Sequence, residues 1–356
     1  MMVLDELLRQ TGEWLRGSGP EAEIVISGRV RLARNLQGYR FISRMDPDER
    51  EACEEHIRKA ILKAGVISTE RYVPLHQAEP LDRRLLVERH LISREHEDAK
   101  HPRGVAIGDR ETLSIMVNEE DHVRLQVFQS GFQVGAAYQI ACRTDDRLSE
   151  HLDFAFSPQL GFLTACPTNV GTGLRVSVML HLPALVLTRH LERVFQAVSK
   201  INLGVRGLYG EGTEASGHFY QISNQVSLGK TEEEIVGNVE QVIPTIVTYE
   251  RKAREELLKR DRVHLEDRVW RAYGMLRSAR TISSEESMML LSALRMGVHL
   301  GLIRQVNLHT VNELFLCTQP AHLQKLAHAA MEPEERDVRR AEVIRQRLNG
   351  KPTVGG

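Results

Sequence analysis

The sequence predicts an α+β fold: an antiparallel β-sheet flanked by helices, followed by an all-helical C-terminal domain. Three observations predict it. Apolar alternation over residues 112–118 and 122–128 reads as two paired strands joined by the acidic turn Glu119-Glu120-Asp121. Strand-like and helical runs follow one another without regular βαβ alternation, which argues against a parallel sheet. After Arg262 every periodic segment has the helical spacing.

The elements follow in order. Residues 1–16 form an amphipathic helical pattern carrying Asp5, Glu6 and Glu13, without the features of a signal peptide. Asp46-Pro47-Asp48-Glu49 is a strong helix start, with a cap, a proline in the first turn and acids that complement the dipole; that helix stops at Gly65. Residues 135–151 and 183–201 read as helices. So does 231–262, which opens with the capping box Thr231-x-x-Glu234. Residues 160–163 and 176–182 are strand-like. In the C-terminal third, Ser283-x-x-Glu286 caps a helix over 285–300, and helices over 310–316, 320–330 and 333–348 follow. Leu290, Leu294 and Val298 give the first of these one buried face.

Composition narrows the function classes. The chain has 356 residues, 42% of them hydrophobic, enough for a sizeable core and two domains. The net charge of −1 gives no global drive toward nucleic acid or membrane, and no apolar run reaches the length of a membrane span. Cysteines 53, 142, 166 and 317 form no Cys-x-x-Cys pair, which argues against a zinc site or disulfide framework and for a reducing, cytoplasmic compartment. Nine of the 47 basic residues are lysines and 38 are arginines, the better residue for bidentate contact with phosphate and carboxylate. Other phosphate-binding patterns fail. Gly229-Lys230-Thr231 mimics the end of a P-loop, but Asn224 stands where its first glycine should be. The His-Arg-Asp and Asp-Phe-Gly motifs of protein kinases are absent. His96 and His101 are one residue too far apart for a His-Glu-x-x-His zinc pattern.

The most informative stretch is residues 166–175, Cys-Pro-Thr-Asn-Val-Gly-Thr-Gly-Leu-Arg. Taken alone, Cys166 reads as a small buried hydrophobe. Its setting says more. Pro167 fixes φ, and Gly171 and Gly173 allow φ > 0 or a close backbone approach, so the turn suits a reactive group and an anion. The stretch resembles the signature Cys-Pro-Thr-Asn-Leu-Gly-Thr of the phosphagen (guanidino) kinases, with Val170 replacing leucine. Three further segments resemble family motifs, in family order: residues 27–35 (Ser-Gly-Arg-Val-Arg-Leu-Ala-Arg-Asn), 118–124 (Asn-Glu-Glu-Asp-His-Val-Arg) and 206–217 (Arg-Gly-Leu-Tyr-Gly-Glu-Gly-Thr-Glu-Ala-Ser-Gly). The resemblance covers roughly residues 20–255.

The resemblance implies a phosphagen-kinase catalytic fold, ATP as phosphoryl donor and Mg²⁺ carried by ATP, with no protein metal site. It implies five phosphate-clamping arginines, Arg29, Arg31, Arg124, Arg175 and Arg206. The wider nucleotide set is Ser27, Gly28, Val30, His90, Val176, Ser177, Val178, Met179, Gly207, Leu208, Tyr209 and Gly210, with Met179 standing where the family has a second histidine. Arg29 and Arg31 are two apart, so on a strand they point the same way. For the acceptor the resemblance implies Glu120, Glu211 and Cys166. A guanidinium is protonated at neutral pH, and two carboxylates suit the tasks of holding it and accepting its proton. Cys166, as a thiolate, would be the third contact. Glu119 reads as structural or supporting.

The nucleotide strand arrives at residue 24, where ordinary phosphagen kinases first have a helical substrate-enclosing domain. An open acceptor site suits an arginine within a polypeptide, and the chain resembles bacterial McsB-type protein arginine kinases. Arg336-Asp337-x-x-Arg340-Ala341 matches their Arg-Asp-x-x-Arg-Ala motif, which implies phosphoarginine as an allosteric ligand of Arg336, Asp337 and Arg340. The resemblance also implies protein substrates bearing arginine, a heat-shock repressor and stress-damaged proteins among them. A Clp-type AAA+ protease, a small activator protein and a homodimer or larger oligomer are implied as partners. The expected division is an N-terminal helical segment (1–20), a catalytic domain (21–258), a regulatory or dimerisation domain (259–350) and a tail (351–356). The alternatives are a kinase for a small free guanidine and a non-catalytic phosphoarginine-binding adaptor.

Overall fold

The computed structural model describes residues 2–98, 100–207 and 216–350. Its centre is an eight-stranded antiparallel sheet of β1 (Val25–Arg34), β2 (Tyr72–Pro74), β3 (Gly104–Ile107), β4 (Leu113–Val117), β5 (Val123–Ser130), β8 (Leu174–His181), β9 (Leu203–Gly207) and β10 (Phe219–Asn224), in the order β2-β3-β4-β5-β1-β8-β10-β9. Two further strands, β6 (Phe156–Ser157) and β7 (Gly161–Phe162), form a separate hairpin. The run expected as a strand over 160–163 therefore contributes only two residues, outside the main sheet.

Side chains alternate across a strand, so each face has its own chemistry. One face carries Val30, Leu32, Leu125, Val127, Val176, Val178 and Ile222, all buried. It is covered by α2 (Pro47–Lys63), α5 (Val134–Ser149) and α8 (Glu232–Arg260), through residues such as Ile57, Ala137 and Val239. The helix starts are set by local chemistry. Asp46 caps α2 by accepting the Glu49 N–H at 2.9 Å, and the Thr231–Glu234 capping box opens α8.

Near one end the opposite face carries Phe128, Met179 and Phe219, which pack into a second core beneath the C-terminal helices. These are α9 (Arg262–Ser278), α10 (Ser284–His299), α11 (Leu308–Cys317), α12 (Pro320–Ala327) and α13 (Pro333–Leu348). Leu294 lies in this core, with Leu290 and Val298 packed against it, as their helical spacing predicted. The N-terminal segment, α1 (Met2–Arg9) and a 3₁₀ turn, adds Trp14 and Leu15 to the same core.

Three expected helices differ in extent. The 183–201 run splits into α6 (Pro183–Leu187) and α7 (Leu191–Ser199), because Arg189 turns left-handed at φ 59°. The 231–262 run ends at Asp261, whose φ of −141° is not helical. α12 stops three residues early at left-handed His328.

Two short helices, α3 (Pro80–Glu88) and α4 (Arg94–Glu97), lie beside the sheet's open face. Polar contacts join α3 to the C-terminal unit. Glu88 accepts the backbone N–H groups of Ala321 (2.8 Å) and His322 (3.1 Å) and pairs with His322 Nδ1 at 2.8 Å. On the other side, buried Arg295 of α10 donates to the carbonyls of Ala22 (2.7 Å) and Glu23 (2.8 Å).

Candidate active site

The open half of that second face is a floor of cationic and polar side chains, and the strand register explains it. Arg29 is paired with Phe128 and Ser177, Arg31 with Gln126 and Arg175, Ala33 with Arg124, and Gln221 with Arg206. Five arginines from four strands thus reach one side of one sheet. A cavity of about 220 Å³ stands over the floor, lined by Arg29, Arg31, Arg124, Arg206, Gln126 and Gln221 below and by His90, Ser93 and Arg94 at the side. Arg29 donates to Ser177 Oγ (3.3 Å) and Gln221 Oε1 (3.0 Å), and Arg175 donates to Ser223 Oγ (3.3 Å).

The floor is electrostatically unbalanced. Burial, followed by the charges of Arg124, Arg175 and Arg206, pushes the Arg29 guanidinium down to about 9. Burial and the charges of Arg29, Arg124 and Arg175 push Arg31 well below the ordinary range, and its buried Nε has no hydrogen-bond partner. At about 9, Arg29 stays charged at neutral pH. Like charges gathered in a low-dielectric cleft, with an orphaned donor among them, fit a polyphosphate. The compensating acid is Glu119. It pairs with Arg124 at 2.5 Å and accepts from Ser93 Oγ. Burial raises the Glu119 carboxyl, but Arg124 and the Ser93 bond outweigh it and bring the group to about 2. Glu119 is therefore a carboxylate that supports Arg124.

His90 also lies in the cleft, left-handed at φ 59° and edge-on to Trp14 with ring centroids 4.6 Å apart. Burial, with Arg29 and Arg94, pushes it down to about 3, so its ring is neutral. Met179 does not line this cleft. It lines a cavity of about 20 Å³ behind His90, with Trp14 and Phe219. Val30, Val176 and Val178 point into the apolar core on the other face. Gly28 faces the start of α5, where a Cβ would stand 3.2 Å from Val134 Cγ2. Ser27 is buried between Ser130 and Met179, and Gly207 lines the cleft. Leu208, Tyr209, Gly210 and Glu211 lie outside the described residues.

At the end of the floor stands the acidic β4–β5 turn. Glu120 is exposed as a residue, but partial burial of its carboxyl together with Asp121's charge raises it above the ordinary carboxylate value. Opposite the turn is the loop of residues 163–173. Cys166 Sγ is 3.0 Å from Thr168 Oγ1, and Cys166 caps a short 3₁₀ turn over Pro167–Asn169. Gly171 and Gly173 are both left-handed, at φ 109° and 65°. A Cβ on Gly173 would sit 2.5 Å from the Ala33 carbonyl oxygen, so glycine there lets the loop press against β1. Asp121 joins turn and loop by accepting the Ala165 N–H at 2.7 Å.

Residues 52–253 match the family described as ATP:guanido phosphotransferase, C-terminal catalytic domain, more than half of the chain. The chain belongs to the ATP:guanido phosphotransferase family. Residues 262–354 match a second description, the protein-arginine kinase McsB C-terminal domain. The chain is 52% identical to a protein-arginine kinase of Symbiobacterium thermophilum, over 96% of this chain and 98% of that one. It is 44% identical to a protein-arginine kinase of Bacillus subtilis, over 95% and 94%. Among solved structures, lombricine kinase superposes with a TM-score of 0.57 at 28% identity, over 70% of this chain and 75% of that one. The duplicated taurocyamine kinase of Schistosoma mansoni gives 0.59 at 29% identity, over 69% and 35%.

Within this phosphotransferase, the Arg336 motif divides. Arg336 lines a cleft of about 620 Å³ between α3 and α12, together with Arg84, Arg94 and Glu88. Arg340 is buried and donates to the carbonyls of Thr318 (2.9 Å) and Ile282 (2.8 Å) and to Asp337. Its guanidinium holds the helical domain together. Val87 and Arg94 line both this cleft and the cavity over the arginine floor. Sequence reasoning missed Gln126, Gln221, Ser223 and Arg94 as members of the floor and its wall. The alternation that singled out Arg29 and Arg31 would also have found Gln221 and Ser223, had the strand over 219–224 been recognised.

Proposed function

We propose that this protein is an ATP-dependent protein-arginine kinase, transferring the γ-phosphoryl group of ATP to the guanidino group of arginine residues in proteins. One observation carries the reading: an arginine floor that fits a polyphosphate runs directly into an acidic turn bonded to a cysteine loop. The near full-length likeness to protein-arginine kinases supports arginine within a protein as the acceptor.

ATP, when bound, supplies the phosphoryl group. Arg29, Arg31, Arg124, Arg175 and Arg206 hold its phosphate oxygens and spread the charge that develops on transfer. Among the described residues no three His, Cys, Asp or Glu side chains gather to hold a metal. Mg²⁺ in our reading would come with ATP, bound mainly by phosphate and water oxygens. Glu120 and Glu211 hold the acceptor guanidinium and take its proton as the nitrogen attacks, and Cys166 is the third contact. Removing that proton frees the lone pair that forms the new N–P bond, while the bond to the leaving ADP oxygen breaks. The Glu120 carboxyl, raised above its ordinary value by burial and Asp121, is a better proton acceptor than a free carboxylate.

We assign residues 21–258 to catalysis and 259–350 to regulation or dimerisation, with phosphoarginine bound at Arg336 and Asp337 as the regulatory ligand. The family resemblance supports a cytoplasmic role in which stress-damaged proteins and a heat-shock repressor are marked for a Clp-type AAA+ protease, with a small activator protein. No helix among the described residues is long and apolar enough to cross a membrane.

The test is incubation with ATP and a denatured protein, followed by mass spectrometry under conditions that preserve acid-labile phosphoramidates. Arginine phosphorylation should be far faster on protein than on free arginine. Equal or faster turnover of free arginine would favour a small-guanidine kinase, and phosphoserine as the main product would sink the assignment.

A further inference from the structure

The acidic turn and the cysteine loop are more than 40 residues apart in the chain, and a single buried side chain bonds to both. Asn35 follows the last residue of β1 and is 2% exposed. Its Nδ2 donates to the Asp121 carboxylate at 2.6 Å and to the Leu163 carbonyl at 3.0 Å. Its Oδ1 accepts the His122 N–H at 3.0 Å. Both amide protons and the oxygen are therefore used, and among side chains of this size only asparagine offers two donors and an acceptor. Asp121 passes the connection on by accepting the Ala165 N–H at 2.7 Å.

The brace reaches the backbone next to each proposed acceptor group, since Asp121 and Ala165 adjoin Glu120 and Cys166. Asn35 is itself held. The Leu36 N–H donates to His122 Nδ1 at 2.9 Å, so His122 carries its proton on Nε2 and donates it to the Arg40 carbonyl, also at 2.9 Å. No atom of Asn35 lines the nucleotide-side cavity.

We propose that Asn35 is a positioning residue for phosphoryl transfer. Acting through Asp121, it sets the spacing between Glu120 and Cys166. The proposal rests on the reading that these two groups hold the acceptor. A planar guanidinium gripped from two separate segments tolerates little drift between them, and a displacement of about 1 Å in such a site costs about 10²-fold in rate. The loss should fall on turnover and spare the nucleotide.

The experiment measures kcat and KM with an arginine peptide, the Kd for ATP and the melting temperature. The variants are Asn35→Ala, Asp121→Ala and Asp121→Asn, with Glu120→Ala and Cys166→Ser as references. Asn35→Ala and Asp121→Ala should lower kcat by about 10–100-fold with the Kd for ATP within about twofold. Asp121→Asn keeps the acceptor oxygen and should recover kcat to within about fivefold of wild type. Normal kcat in folded Asn35→Ala overturns the proposal, and so does a parallel loss of ATP binding, which marks a merely structural residue. If Asn35→Ala does not fold, the two Asp121 variants decide: equal kcat in both overturns it. Normal transfer by Glu120→Ala and Cys166→Ser would instead bring down the acceptor reading itself.

Discussion

Arg31 and Arg175 are direct cross-strand partners at the middle of the sheet, on β1 and β8. Like charges opposite one another destabilise an antiparallel pair, so the free enzyme holds a repulsion that the polyphosphate of the proposed reading would relieve. This crowding of buried like charges sets the floor apart from a solvated charged face.

Replacing Arg175 or Arg31 with alanine should therefore separate stability from binding. Hydrogen bonds to charged groups are worth about 1.5–3 kcal/mol, so each variant should lose about 10–150-fold in ATP affinity. Its melting temperature without nucleotide should stay level or rise. Thermal melts with and without ATP check this. A large drop in the nucleotide-free melting temperature, with an intact ATP-induced shift, would contradict it.

Glu119 gives the protein an acid-sensitive contact. Its folded-state value of about 2 lies below the ordinary 4.5, so the stability it contributes is present above pH 4.5 and is lost as pH falls toward 2. Glu119→Gln should be less stable than wild type at pH 6, and the gap should shrink on acidification. Urea unfolding from pH 6 to pH 2.5 would show it, and a gap that is constant with pH would refute the pairing.

The acceptor groups should behave differently from the arginines. Glu120→Ala and Glu211→Ala should lose about 10²–10⁴ in kcat while binding ATP almost normally, because in the proposed reading they act on the acceptor. Cys166→Ser should also be severely impaired, since a hydroxyl does not ionise at neutral pH. In the wild type, kcat should fall with acidification from a pH above the ordinary carboxylate value, as the raised Glu120 becomes protonated. Near-normal kcat in Glu211→Ala would remove that residue from the site.

Arg336 and Arg340 should give opposite phenotypes despite sharing one motif. Arg340→Ala leaves two buried carbonyls without a donor and should destabilise the protein by about 1–3 kcal/mol. Arg336→Ala with Asp337→Ala should abolish a response to free phosphoarginine, a coupling of about 5–150-fold, and spare basal catalysis on a small peptide. Initial rate and oligomer size, titrated with phosphoarginine, are the readouts. Identical responses in wild type and the double variant would leave the motif with only its structural role.

The sequence alone determined the antiparallel α+β class and the helical C-terminal third, because these depend on short-range signals; the candidate site residues were named from the resemblance of short motifs. Alternation, caps and motif spacing repeat within a few residues, and Asp46, Thr231 and Ser283 cap helices as their spacing predicted. Only the tertiary structure decided which strands are neighbours, and with them which arginines meet: Arg31 and Arg175 are 144 positions apart and their pairing depends on register. The short strands β2, β3 and β9 carried too little alternation to be recognised, and the break at Arg189 was hidden in a continuous helical pattern. The two roles within the Arg336 motif could not be separated either, since burial depends on what packs against a helix face. For the same reason Asn35 stood out in the sequence only as the last residue of the 27–35 motif, and its bonds to the acidic turn and the cysteine loop came from the fold, which gathers polar groups from distant segments where water is excluded.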